Sequence, residues 1–285
     1  MIKIAHITNP CIVPTTSDLF VAQPITFESI KKAKEYAEDS VNVKLLSAQF
    51  SQDRDIVPAD FELTPDLERS VFDIAEFQNK RNLPLHRDIL DRLYHYSDEA
   101  DYLIYTNVDI ALKPEFYLEV SQLINTGLDA FVISRRTISQ KYTHPTELEN
   151  MYREEGKSHP GHDCFIFSRK LYPKFYLTDV CIGAAWFDKA LLWNMIAYSS
   201  NFKAFRDLKL TFHLGDDKRW KSQSSREYSL HNKEEIKKFL NYLNTYCGKV
   251  YMNRELWPYV SHVYEKKLGF TIPWHYKVFQ AVGLR

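Results

Sequence analysis

A chain of 285 residues, 45% hydrophobic and 26% charged, is long enough for one α/β domain with additions and can bury a sizeable core. Lys+Arg and Asp+Glu are both 37, so there is no basic excess of the kind nucleic-acid binders show. With 8 Gly, and neither GxGxxG nor GxxxxGKS/T present, the sequence argues against a glycine-rich phosphate loop.

The 4 cysteines, Cys11, Cys164, Cys181 and Cys247, are far apart and form no CxxC pair, which predicts reduced thiols in a cytoplasmic protein. The N-terminus MIKIAHITNP lacks the build of a signal peptide, and no run reaches the roughly 18 apolar residues of a spanning helix. The expectation is a soluble cytoplasmic chain, at most peripheral to the inner face of a membrane.

In chain order, residues 2–10 read as a buried strand ending in a polar turn. Residues 26–39 read as a helix with Ile30, Ala33 and Tyr36 or Ala37 on one face, and 41–50 as a second strand. Strand, helix and strand at this spacing predict a βαβ unit in a parallel sheet. Residues 83–97 are amphipathic, with Leu85, Ile89, Leu93 and Tyr96 aligned, and lead into a strand at 102–106. A helix at 113–124, started by Pro114 and Glu115, precedes a strand at 129–134. The stretch 135–163 is polar with little periodicity, as in a functional or mobile loop. A strand at 163–168, a buried helix at 183–197 and a strand at 208–214 follow. In the last, Lys209, Thr211 and His213 are expected on a polar face. Two helices, 232–247 and 254–269, form a helical extension beyond a boundary near 222.

The strand DYLIYTNVDIAL breaks at Asn107, Val108 and Asp109. Residues two apart on an extended chain share a side, so Asn107 and Asp109 offer two oxygen ligands for a hard divalent cation. The competing role is an Asx-turn closing the strand. His213 is either a structural strand histidine or a third ligand, and the sequence after it, LGDDKRW, has the charges of a site loop. His159, His162 and Asp163 cluster around Pro160 and Gly161. They read as a zinc tripod, as a substrate-contacting turn or as an ordinary polar turn. Asp188 opens a helix and is either a cap or a general base. Arg81, Arg87, Arg135 and Arg136 are candidates for pyrophosphate or acceptor contacts, or surface charges.

The order of these elements and motifs over roughly residues 1–220 resembles nucleotide-sugar glycosyltransferases of the GT-A fold. The resemblance implies a GT-A-like, Rossmann-type mixed α/β sheet flanked by helices over 1–221, with a helical C-terminal extension at 222–285. Asn107-Val108-Asp109 stands where that family has its DxD motif, with Asn in place of the first Asp. This implies Mn²⁺ or Mg²⁺ as cofactor, held by Asp109 and His213. It places Thr8, Asn9, Gln49, Arg87, Asp88 and Asn107 at the nucleotide-sugar donor, with Lys218 and Arg219 at its phosphates. Asp188, in WFDKALL at the place of the xED motif of inverting enzymes, becomes the catalytic base, with Asp163 as the other choice. HLGDDKRW also resembles the His-Gly-Lys-Trp signature of glycogenin-like retaining enzymes, one residue shorter. His159, His162 and Trp186 face the acceptor, a glycan or lipid-linked hydroxyl as in polysaccharide biosynthesis, and the C-terminal helices supply any membrane contact. Two other readings compete. One is a metal-dependent phosphoesterase or nuclease using Asp109, His159, His162 and His213. The other is a nucleotide-sugar-binding module without catalysis.

Overall fold

Residues Ile2–Thr8 form a strand, β1, whose alternate side chains enter two different cores: Ala5 and Ile7 on one side of the sheet, Ile4 on the other. A strand covered on both faces must be apolar nearly throughout, which is why the first run of the sequence does not alternate with polar residues. The computed structural model describes residues 1–215 and 223–274.

In chain order the elements after β1 are α1 (Asp18–Ala37), β2 (Val41–Ser47), β3 (Glu62–Leu63), α2 (His86–His95), β4 (Tyr102–Thr106) and β5 (Ala111–Leu112). Next come α3 (Phe116–Asn125), β6 (Ala130–Ile133), β7 (Arg136–Ile138), α4 (Leu148–Arg153), β8 (Lys157–Ser158) and β9 (Cys164–Ser168). The last are α5 (Phe187–Tyr198), β10 (Phe202–Phe205), β11 (Thr211–Leu214), α6 (Arg226–Tyr242) and α7 (Trp257–Tyr264).

A seven-stranded sheet has the order β10-β6-β9-β4-β1-β2-β3. Its pairings are parallel except for β9, which runs antiparallel to both β4 and β6. The mixed α/β sheet flanked by helices is the architecture expected from the sequence. Helices α1 and α3 cover one face, where Phe27, Ile30, Phe116 and Val120 join Ile4 and Ile104. Helices α2 and α5 cover the other, where Leu93, Leu191 and Trp193 join Leu103 and Phe165.

A second sheet of four strands, β5-β11-β7-β8, is built from short segments. The polar stretch 135–163 is therefore not a bare loop: it supplies β7, α4 and β8, too short to show a period. Strand β11 differs from expectation too. Thr211, Phe212, His213 and Leu214 are all buried, because β11 is enclosed between β5 and β7. Helix α1 begins at Asp18, eight residues before the predicted start, and contains Pro24. Gln23 of this helix holds the backbone of Cys11 through both ends of its amide, at 2.9 Å each, which fixes the first turns against the preceding loop.

The C-terminal helices share the main core. Ile236, Phe239 and Leu240 of α6 and Val260, Val263 and Tyr264 of α7 pack in the same cluster as Leu103 and Trp193. The core is thus continuous across the expected boundary between 221 and 222. Among the described residues no helix is long and apolar enough to cross a membrane.

Candidate active site

The antiparallel insertion of β9 does most to build the site. Thr106 pairs with Cys164 on one side of β9, and Ile133 pairs with Cys164 on the other. The residue before Cys164 is Asp163, which therefore emerges between the residues following β4 and those following β6. These are the carboxyl ends of parallel strands, where open α/β sheets present ligand sites. The second sheet then brings in His213. Phe212 pairs with Ala111, so His213, one residue further on, lies opposite the turn that carries Asp109.

The His213 Nε2 atom is 3.2 Å from Asp109 Oδ2, and His213 Nδ1 is 2.8 Å from the carbonyl oxygen of Gly215. A carbonyl can only accept, so Nδ1 carries the proton and Nε2 is the nitrogen free to ligate when the ring is neutral. Burial works to raise the Asp109 carboxyl, but the hydrogen bond and charge of His213, with Arg135 behind it, hold it below the ordinary range. Burial works against an imidazolium at His213, and Asp109 outweighs it, so His213 is raised. The two directions agree: each partner favours the charged form of the other.

The second oxygen, Asp109 Oδ1, is buried and has no hydrogen-bond partner. A buried carboxylate oxygen left unmatched is costly unless something else meets it. With an imidazole nitrogen beside it, the donor set fits Mn²⁺ or Mg²⁺ with the remaining positions filled from outside the chain. Among the described residues no group of three or more His, Cys, Asp or Glu is placed to hold a metal. That corrects the zinc tripod of His159, His162 and Asp163 and the four-ligand set of the phosphoesterase reading. His159 instead accepts the Gly161 N–H at Nδ1, 3.0 Å away.

Asp163 is nearly buried, with Arg135 Nη1 3.4 Å from its Oδ1 and no partner for Oδ2. Burial pushes its carboxyl up to about 6, Arg135 opposes this, and the negative charges of Asp109 and Asp188 add to it. Asp188 sits in the first turn of α5 beside Lys189, whose Nζ is 3.3 Å away. His162 is held down by burial, within the field of Asp188, Lys189 and Arg206, and its Nε2 is buried without a partner. Trp186, just before α5, has φ 78. A bulky residue in that region costs about 1–3 kcal/mol, a strain that concentrates at functional sites. So Asp109, His213, Asp163, Asp188 and His162 form one electrostatic group, with Trp186 next to it in sequence.

The expected donor residues divide. Thr8 and Ser47, paired across β1 and β2, both have buried hydroxyls without partners, as does Gln49 at its Oε1. Gln49 Nε2 donates to the Thr64 carbonyl at 2.8 Å, and Asn9 Nδ2 to the Ala48 carbonyl at 2.6 Å. Asn107 Oδ1 accepts the Tyr105 hydroxyl at 2.9 Å, so this residue is anchored to its own strand. Arg87 and Asp88, expected at the nucleotide, both form ion pairs within the chain. Arg69 grips Asp88 through two bonds of 2.8 and 2.7 Å, and Arg87 pairs with Asp179 at 2.8 Å. Lys218 and Arg219 lie outside the described residues.

Sequence reasoning missed His86, whose ring packs 4.6 Å from that of Tyr105 and 5.8 Å from that of Phe187, under the site. The signal was there: His86, Ile89, Leu90 and Leu93 share the i, i+3, i+4, i+7 face that is buried in α2.

No family model matches the chain, and no curated protein matches it in sequence. Solved structures similar in fold include S. aureus TarS 1–349 in complex with UDP-GlcNAc, at 9% identity and TM-score 0.46, covering 86% of this chain and 73% of that one. M. tuberculosis glucosyl-3-phosphoglycerate synthase is similar at 12% identity and TM-score 0.45, covering 84% and 80%. A Drosophila β-1,4-galactosyltransferase 7 mutant, in complex with manganese, UDP-Gal and xylobiose, is similar at 10% identity and TM-score 0.39, covering 76% and 72%. At these values the likeness extends to the mixed α/β architecture and to nothing finer.

Proposed function

We propose that this chain is a metal-dependent glycosyltransferase. It moves a sugar from a nucleotide-diphosphate donor to a hydroxyl of a glycan or lipid-linked acceptor. The observation that carries the reading is the meeting of Asp109 and His213 at the carboxyl edge of the sheet, with one carboxylate oxygen buried and unmatched. Bound there, a divalent cation supplies neutralisation of the charge that develops on a departing diphosphate.

The chain's own residues do the rest. His213, fixed through Nδ1 by Gly215, presents Nε2 to the cation, and Asp109 presents its carboxylate. Thr8, Asn9, Gln49 and Asn107 line the donor side at the ends of β1, β2 and β4. Asp188 takes the proton from the attacking acceptor hydroxyl, with inversion as the outcome. Asp163 is less suited to that step, since Oδ2 is enclosed and Oδ1 faces Arg135. A base must reach the proton it removes. Asp163 and Arg135 instead set the potential around the reacting centre. Trp186 and His162 flank the acceptor.

The test is a panel of nucleotide sugars scored by thermal shift with and without Mn²⁺, followed by turnover assays of the stabilising donor. The expected result is stabilisation by one donor class only with metal, and metal-dependent transfer that Asp109→Ala abolishes. Full metal-dependent turnover in Asp109→Ala would overturn the site, and stabilisation without any turnover would leave a binding module.

A further inference from the structure

A cavity of about 360 Å³ opens between the loop after β1, helix α1 and the segment after β2. Its lining includes none of the described residues placed at the metal, the donor or the acceptor. The wall is apolar: Ile12, Val13, Phe20, Phe27 and Ile56, with Pro145 from the stretch after β7. Ile12 is 57% exposed and Phe20 is 50% exposed, so two large apolar side chains of this wall remain half in water. Apolar surface gathered in one concave place marks a binding site, whereas single scattered residues do not.

The polar lining residues are largely matched within the chain. Gln23 spends both ends of its amide on the Cys11 backbone, at 2.9 Å each. Lys31 Nζ is 3.5 Å from Asp60 Oδ2. Glu28 precedes Lys31 by three residues, so the two are neighbours on the surface of α1. A sugar ring or a base needs several placed donors and acceptors, which these groups do not supply. An aliphatic chain needs only apolar contact.

One turn of α1 joins the cavity to the metal pair. Phe27 and Glu28 line the cavity, and the next residue, Ser29, accepts the Leu112 N–H at Oγ, 2.9 Å away and three residues beyond Asp109. Cys11 lines the cavity too. Burial pushes its thiol up to about 11, and the negative charges of Asp53 and Asp109 add to this. The Cys11 end of the cavity therefore lies within the field of Asp109.

We propose that this cavity binds the aliphatic chain of an amphiphilic substrate whose polar head points towards Asp109 and His213. The volume is at the small end of ligand pockets, which run from roughly 300 to 1,000 Å³, so it takes a short chain or the first segment of a longer one. That the head is the acceptor rests on the transferase reading. Binding of the chain does not.

The experiment is calorimetric titration of the purified chain, without donor or metal, with hexyl, heptyl and octyl β-glucosides below their micelle concentrations and with glucose as control. The expected result is saturable binding that tightens about fourfold per added methylene, and none with glucose. Val13→Trp, which puts an indole into the cavity from its half-buried wall, should abolish binding. Phe20→Ala, which truncates a half-exposed ring, should weaken it at least threefold. Thermal melting of the free variants checks that both fold, and if one does not, the other carries the test. Once a donor is found, octyl glucoside should be an acceptor with a lower KM than glucose, and equal KM values would refute the head as acceptor. Chain-length-dependent binding without turnover of any donor would sink the transferase reading and leave the cavity assigned. Affinity that does not rise with chain length, or wild-type affinity in Val13→Trp, overturns the proposal.

Discussion

His213 and Asp109 are 104 residues apart in the chain and 3.2 Å apart in the fold. They belong to different strand systems, the turn after β4 and the second sheet, and they meet because Phe212 pairs with Ala111. Asp109→Asn should lower metal-dependent turnover on the order of 10²–10³-fold, as for the loss of one electrostatic contact to a developing charge. His213→Gln should weaken Mn²⁺ binding and leave the fold intact. Electron paramagnetic resonance of a Mn²⁺ titration checks both, and unchanged binding in both variants would rule out this pair as the metal site.

Acid should unfold the protein through buried histidines. Burial pushes His6 and His86 down to about 3. Between the ordinary value of 6.5 and 3 the unfolded chain binds protons that the folded chain does not, so stability falls as pH falls through that window. Asp163 works the other way. Its carboxyl, raised to about 6, holds a proton in the folded state between 3.8 and 6, so its contribution to stability declines as pH rises there. Asp163→Asn removes the opposing group and should steepen the acid limb in chemical denaturation between pH 3.8 and 6. An unchanged slope would show that Asp163 titrates normally.

Gly156→Ala should destabilise the chain by more than about 1 kcal/mol, because the residue has φ 63 and the added Cβ would sit 2.6 Å from a backbone oxygen. Gly127→Ala offers the contrast: φ is 90, but nothing lies within 4 Å, so only backbone strain opposes it. Denaturant midpoints of the two variants decide this, with Gly156→Ala expected to fall further.

A chain ending at residue 221 should not fold as an independent unit. Ile236, Phe239, Leu240, Val260, Val263 and Tyr264 leave the main cluster with the truncation. The carboxylate of Glu227, which accepts the Gln78 and Asn79 backbone N–H groups at 2.7 and 2.8 Å, is also lost. Tyr228 goes too, with its stacked contact to Phe77 at 4.4 Å between ring centroids. Dye binding to exposed apolar surface and loss of near-ultraviolet circular dichroism are the expected readouts. A cooperative thermal transition in the truncated chain would instead establish two units.

Local chemistry alone fixed much of this protein. Strands covered on both faces are apolar nearly throughout, so β4, β6 and β9 stood out, and the break at Asn107-Val108-Asp109 marked where the sheet edge turns to other work. Short elements were hidden: β7, α4 and β8 are each under two turns or four residues, below the length at which a period can be seen. Tertiary structure alone decided which charges meet. Arg87 meets Asp179 and Asp88 meets Arg69 across long stretches of chain, and Arg135 finds Asp163 only because β9 runs backwards between β4 and β6. The physical reason is that periodicity reports which side of an element is buried, a property of neighbouring residues. The partner of a charge is set by strand order and register between segments far apart in the chain.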